Sequence, residues 1–191
     1  MRLWLRRDSA QNFEAVVEEY YDKVFRLAYR MLQSYEEAAD ITQEVFLHAY
    51  RGWANFRGES QVYTWLYRIT INMCKNRLKQ LKRIAKHEMQ TALTNVQAEG
   101  DEGNEAYVIE PEDFSSSPED AIARQELREA IERALSELPF DYRMLITLRD
   151  IEGLPYEEIA KVIGCTIAAV KAKLFRARTQ LREKLRPYLE E

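Results

Sequence analysis

From Tyr156 to Arg178 the chain reads Tyr-Glu-Glu-Ile-Ala-Lys-Val-Ile-Gly-Cys-Thr-Ile-Ala-Ala-Val-Lys-Ala-Lys-Leu-Phe-Arg-Ala-Arg. Ala160 is small where two helices would cross closely, and Gly164 allows a tight turn between them. Ile159, Ile163 and Val170 are spaced to fill the wedge between the helices, and Thr166 is placed to cap the second. The turns that follow put Lys171, Lys173, Phe175, Arg176 and Arg178 on a helix able to enter a major groove. Glu157 and Glu158 are confined to the first helix, while the second is cationic. That separation favours a DNA-reading helix-turn-helix over a basic helix pair that is merely solvated inside another bundle.

Upstream, Ser117-Pro118-Glu119-Asp120 is a helix start: a capping hydroxyl, proline at the first position, then acids. Leu127, Ala130, Ile131, Ala134, Leu135 and Leu138 form the expected buried stripe of that helix, which stops at Pro139. A short helix over about 141–151 should bury Met144, Leu145 and Leu148 before Gly153-Leu154-Pro155 breaks the chain. Residues 118–187 are therefore read as one four-helix domain, its last two helices joined at Gly164.

The segment before it has a different composition. Between Glu99 and Asp120 stand nine carboxylates and no Lys or Arg; without them the net charge of −4 would be +5. Periodicity is lost after about residue 87, and residues 84–117 are read as a flexible acidic linker. The cations lie on either side. Arg68 to Lys86 holds seven cations and no anion; Lys171 to Arg186 holds seven against Glu183 alone. An average near neutrality thus hides two basic helices, the footprint of a nucleic-acid binder.

The N-terminal part, residues 10–83, reads as a three-helix bundle. Phe13, Val16, Val17, Tyr20, Val24, Leu27, Ala28 and Met31 recur at helical spacing. A second helix starts near Tyr35 and buries Ala38, Ile41, Val45, Ala49 and Trp53. A third starts near Gln61, with Trp65, Leu66, Ile69 and Met73 as its apolar stripe. The second helix has another face, Asp40, Gln43, Glu44, Leu47 and Arg51, where an apolar Leu among acids suggests a protein contact rather than DNA. Between the second and third helices, Arg57, Gly58, Tyr63, Arg68, Asn72, Lys75 and Asn76 mix aromatics, cations and amides. Such a mixture suits single-stranded nucleic acid, with rings to stack bases, cations for phosphates and amides for base edges. Tyr63 and Tyr67 fall off the expected buried stripe and are the candidate stacking faces.

These residues resemble a known family. Asp40-Ile-Thr-Gln43-Glu44-Val-Phe46, Phe56-Arg57-Gly58-Glu59 and Thr64-Trp65-Leu66-Tyr67-Arg68-Ile69 with Asn72 look like the polymerase-binding and -10-reading regions of extracytoplasmic-function sigma factors. Leu138-Pro139, Tyr156-Glu157-Glu158-Ile159-Ala160 and Val170-Lys171-Ala172-Lys173-Leu174-Phe175-Arg176-Ala177-Arg178 look like that family's -35-reading domain. The resemblance implies that Asp40, Gln43, Glu44, Leu47 and Arg51 dock on the clamp coiled coil of the largest subunit of core RNA polymerase, with the flap as a further contact. It implies that the loop after Phe56, with Asn72, captures the non-template strand of the -10 element in promoter DNA. Thr166, Lys171, Lys173, Phe175, Arg176 and Arg178 would serve the -35 element. It also implies a monomer when free, an anti-sigma factor as partner, and a linker passing through the polymerase cleft. Where the family commonly has Gly-Thr-Val-Lys-Ser-Arg, this chain has Ala168-Ala169-Val170-Lys171-Ala172-Lys173, which removes two hydrogen-bonding side chains next to the DNA.

The other expectations are exclusions. No apolar run approaches the ~20 residues of a membrane span, and the N-terminus lacks the apolar core of a signal peptide. Two cysteines and two histidines, all well separated, make neither a disulfide framework nor a metal site, and no cofactor is implied. No nucleophile–base arrangement or phosphate-binding glycine loop appears, so the chain is not expected to be an enzyme. A cytoplasmic location is expected. The rival reading is a helix-turn-helix repressor or activator with an N-terminal sensor domain, which would have no reason to carry the 56–77 segment. The fold class expected is all-α.

Overall fold

The computed structural model describes residues 2–56, 58, 60–92 and 118–189. Among these are seven helices and no strand, grouped in two compact units. The first unit contains α1 (Arg2–Leu32), α2 (Tyr35–Trp53) and α3 (Val62–Ala92); the second contains α4 (Pro118–Ser136), α5 (Phe140–Ile146), α6 (Tyr156–Ile163) and α7 (Ile167–Leu189).

In the first unit α2 is buried on one side by α1 and α3. Its start is capped: Ser34 is extended, and its hydroxyl accepts from the Glu37 amide at 3.4 Å, with Glu36 and Glu37 in the first turn as the helix dipole favours. Only Gln33 and Ser34 separate α1 from α2, and Gln33 makes the reversal in the left-handed region at φ 59°. Phe13, Val16, Val24, Leu27, Ala28 and Met31 of α1 meet Ala38, Ile41, Val45, Phe46 and Ala49 of α2 in the core. Each large side chain fully buried there contributes about 1.5–3 kcal/mol.

The buried stripe of α3 is turned from the one expected. Thr64, Leu66, Tyr67, Thr70, Ile71 and Cys74 are buried, whereas Trp65, Ile69 and Met73 are half-buried. Two threonines in the stripe explain the shift. The Thr70 hydroxyl donates to the Leu66 carbonyl at 2.8 Å and so enters the core satisfied, as Thr42 does with Ala38 at 2.7 Å. Tyr67, expected off the stripe, is only 2% exposed. Trp65 is held instead in an aromatic cluster that pins the α2–α3 connection. Trp53 stacks on Phe56 at 5.5 Å, and Phe56 lies 5.0 Å from Trp65. Gly52 makes room, since a Cβ there would stand 3.2 Å from the indole.

Two boundaries differ from the sequence reading. Backbone helix begins at Arg2 rather than near residue 10, and α3 continues to Ala92, so residues 84–92 are helix rather than the start of a linker. Lys, Arg, Ala, Gln and Glu have high intrinsic helix propensity and need no apolar stripe to extend a helix already nucleated by packing. The rest of the expected linker, 93–117, lies outside the described residues, as does the Ser117 cap.

In the second unit, Ala130, Ala134, Leu135, Leu138, Met144, Leu145, Ile146, Leu148, Leu154, Ile159, Val162, Val170, Leu174 and Ala177 form the core. Leu127, expected in the stripe of α4, is 45% exposed, because the packing of α4 is concentrated in its C-terminal half. The expected 141–151 helix is split: after Ile146 the chain widens into a π-helical turn over Thr147–Ile151, with the Glu152 amide donating to the Thr147 carbonyl at 2.9 Å. A one-turn widening leaves an apolar pattern almost unchanged, so periodicity could not show it. Gly164 closes α6 in the left-handed conformation (φ 68°, ψ 44°), as the turn required.

The packing of Cys74 can be tested directly. Its thiol is fully buried, and burial pushes it up to about 12. At pH 8 the native chain should therefore react with a thiol reagent at Cys165 alone, with Cys74 reacting only in denaturant. Two equally fast thiols in the native protein would refute the placement of α3.

Candidate functional site

The exposed side of α2 carries Asp40, Gln43, Glu44, Leu47 and Arg51, one set at three- and four-residue spacing. Leu47 is 58% exposed among the charges, and Tyr50 beside it is 57% exposed with its ring against Phe13. Tyr50 was not singled out from sequence, although its three-residue offset from Leu47 was the signal available. Two bare apolar side chains in a charged setting have the character of a protein-contact surface. Arg77 of α3 ties this face down, pairing with Glu37 and standing 3.6 Å from Asp40.

On α3, Arg68, Asn72, Lys75 and Asn76 are all exposed. Tyr63 is half-buried and meets Tyr67 edge-on at 6.3 Å, so of the two rings only Tyr63 retains a face for stacking. Gly58 has φ 70° with open space around it, and Arg57 lies outside the described residues. Two amides and two cations, Asn72, Asn76, Arg68 and Lys75, thus share one face of α3 about 100° wide, while Tyr63 falls on the opposite side of the same helix. The shared face can hydrogen-bond a base edge while phosphates are neutralised.

In the second unit, the Thr166 hydroxyl accepts from the Ala169 amide at 3.2 Å and caps α7, which confirms its capping role and occupies its acceptor. Lys171, Lys173, Phe175, Arg176 and Arg178 are exposed, and Phe175 at 74% is the barest large apolar side chain among the described residues. They are not equivalent. Arg178 makes a two-pronged ion pair with Asp150, one contact at 3.0 Å, and this pair raises its already high pKa further. Lys171 lies 5.5 Å from the Tyr156 ring and Arg149 4.7 Å from it; Arg149 also donates to the Leu154 carbonyl at 2.8 Å. The π turn therefore delivers Arg149 and Asp150 to the two places where α6 and α7 need partners. Sequence reading did not single out either of them, or Tyr156 as a ring between two cations. Of these five, Lys173, Phe175 and Arg176 remain unencumbered.

Residues 16–93 match sigma-70 region 2, and residues 128–181 match sigma-70 region 4. The chain belongs to the sigma-70 family. It is 38% identical to the RNA polymerase sigma-H factor of Pseudomonas aeruginosa over 98% of this chain and 93% of that protein. It is 34% identical to the ECF RNA polymerase sigma-E factor of Escherichia coli K12 over 97% and 92%. The fold matches the Bartonella quintana sigma factor RpoE, solved with the anti-sigma factor NepR, at a TM-score of 0.65 and 23% identity, covering 92% and 98% of the two chains. It also matches CnrH, solved with the cytosolic domain of CnrY, at 0.62 and 20%, covering 93% and 90%. This sigma factor is thus of the extracytoplasmic-function type, a transcription initiation factor, and the repressor or activator reading is set aside. Among the described residues no helix is long and apolar enough to cross a membrane, and no group of side chains could hold a metal.

The Asp150–Arg178 pair yields a prediction. Exposed pairs contribute up to about 1 kcal/mol, so Asp150→Ala should cost no more than that in thermal unfolding. The freed Arg178 should raise the affinity of the second unit for duplexes of any sequence, and adding Arg178→Ala should cancel the gain. A loss of affinity in Asp150→Ala alone would mean that the ion pair itself shapes the DNA-reading surface.

Proposed function

We propose that this sigma factor docks on core RNA polymerase through Asp40, Gln43, Glu44, Leu47 and Arg51, with Tyr50 added from the structure. The same three-helix unit captures the non-template strand of the -10 element through Gly58, Tyr63, Arg68, Asn72, Lys75 and Asn76, together with Arg57. The helix-turn-helix unit reads the -35 element through Lys171, Lys173, Phe175 and Arg176, with Thr166 positioning the helix and Arg178 near the backbone. What carries this reading is the division of labour within the first unit: α2 turns acids and bare apolar side chains outward, and α3 turns cations and amides outward. Acids would repel DNA, and the α3 face from Arg68 to Asn76 exposes no large apolar side chain to offer a protein. The two surfaces therefore have different partners.

The residues 10–83 and 118–187 are assigned these two binding duties, and the acidic segment between them the passage through the polymerase cleft. The chemistry of RNA synthesis belongs to the polymerase, and the chain works in the cytoplasm as a monomer when free. An anti-sigma factor is its expected inhibitor, as NepR is the anti-sigma partner in the Bartonella quintana complex.

Docking is tested by Leu47→Asp. A carboxylate forced into an apolar contact is costly, while an exposed position tolerates it in the free chain. The variant should lose co-purification with core polymerase and keep the parental helical circular dichroism. Undiminished co-purification would remove Leu47 from the interface.

Strand capture is tested by Asn72→Ala and by replacing residues 58–63 with a Gly/Ser loop. Both should bind core normally and fail to open a linear promoter in permanganate footprinting, with at least partial recovery on a pre-melted bubble, where unstacking is no longer required. If the loop replacement opens duplex DNA as the parent does, capture lies elsewhere.

A further inference from the structure

The barest large side chain of the cationic helix α7 is apolar. Phe175, at 74% exposure, stands one turn beyond Ala172. At 100° per residue, Ala168, Ala172, Phe175 and Thr179 fall on one strip about 60° wide, and all four are exposed. The one hydroxyl on the strip, that of Thr179, is taken up by the helix itself, donating to the Phe175 carbonyl at 3.0 Å. The fold makes no use of this strip, since the buried residues of α7, Val170, Leu174 and Ala177, lie on the opposite side. Cations border it along both edges. Lys171 and Arg178 lie to one side, engaged by Tyr156 and Asp150, and Arg176 and Lys173 lie to the other.

We propose that Phe175 and Ala172 select bases in the -35 element through the methyl groups of thymine. The proposal rests on the reading of α7 as the helix that enters the major groove, and it names what the middle of that helix recognises there. A strip bordered by cations on both edges suits a groove whose walls are phosphates and whose floor is base edges. A protein surface would have to match an apolar centre and two lines of positive charge at once. Within the groove, a strip without donors or acceptors leaves any amino group or carbonyl beneath it unsatisfied, which costs affinity. Among the groups that the four base pairs present there, the thymine C5-methyl alone is apolar. The contact is therefore with thymine, and adenine is specified only as its partner. Burial of one methyl-sized group is worth about a factor of four in affinity. Two thymines, one under the Phe175 ring and one under Ala172, then give about fifteenfold. The strip is about 17 Å long at 1.5 Å per residue, so the thymines fall within about five base pairs of each other.

The test uses holoenzyme assembled on core polymerase and a promoter that this holoenzyme selects from duplexes randomised over the -35 element. The selected element should carry thymine, on either strand, within a five-base-pair window. Deoxyuridine, which lacks only the methyl, then replaces every thymine of the element, and a control duplex carries as many replacements in the spacer. The parent should lose about four- to fifteenfold on the substituted element and nothing on the control. Phe175→Ala should bind the unsubstituted element more weakly and lose most of the preference for thymine over deoxyuridine. Phe175→Leu, still apolar, should keep that preference. Both variants should unfold at the parental temperature, because the position is exposed. Equal binding of the parent to the two elements overturns the proposal, as does selection of G·C pairs alone. A preference that survives in full in Phe175→Ala also overturns it, and assigns the effect to the shape of the duplex. If the selection enriches no upstream sequence at all, it is the assignment of α7 to the -35 element that fails.

Discussion

Burial of Ala38, Ile41, Val45 and Ala49 takes one face of α2 out of water, and the rotation of 100° per residue then commits Asp40, Gln43, Glu44, Leu47 and Arg51 to the opposite face. The outward surface is therefore a by-product of packing: it cannot be rotated away without exposing the core. The same holds for α3, whose buried Leu66, Tyr67, Thr70, Ile71 and Cys74 fix Arg68, Asn72, Lys75 and Asn76 outward. Because α2 and α3 bury against each other, the two surfaces are set at a constant angle. Arg77 reaching across to Glu37 adds a polar clasp at the seam. Two chemically different surfaces are thereby held in one rigid relation within the first unit.

The helix-turn-helix unit solves a different problem, that of aiming a cationic helix whose own charges repel. Three of its cations are anchored by neighbours: Arg178 by Asp150, Lys184 by Glu137 at 2.5 Å, and Lys171 by the face of Tyr156. Tethering lowers the self-repulsion of α7 and fixes its rotation about its axis. The groups left unencumbered, Lys173, Phe175 and Arg176, lie within one turn, with Lys173 and Arg176 about 60° apart around the helix and Phe175 on the far side from Lys173. Ala169 and Ala172 sit near them without hydroxyls, so what the exposed side of α7 offers is charge and the Phe175 ring.

Much of this was legible in the chain. Helix order, the α2 faces and the Gly164 turn follow from apolar spacing and two or three punctuating residues, and those signals are local. The phase of α3 was not legible, because threonine looks polar in a sequence yet becomes core once its hydroxyl finds the preceding carbonyl. Tyr67 was misjudged for the same reason, being assigned relative to a stripe one step out of phase. The end of α3 was missed because an exposed helix beyond its bundle has no apolar period to announce it. Asp150 and Tyr156 escaped notice because their roles depend on the π turn, a backbone event that leaves hydrophobic spacing almost unchanged. Of the candidate site residues, those that act by being exposed on a helix could be read; those that act by touching another element could not.

The reversal between α1 and α2 occupies just Gln33 and Ser34. Helices joined so closely make mostly near-neighbour contacts, and low contact order of this kind permits folding in microseconds to milliseconds. Ribosomes add only about 5–20 residues each second. The first unit, closed by α3, is therefore complete while the helix-turn-helix is still being translated. The outward faces of α2 and α3 therefore exist seconds before the helix-turn-helix does, and are presented to the surroundings while synthesis is still under way.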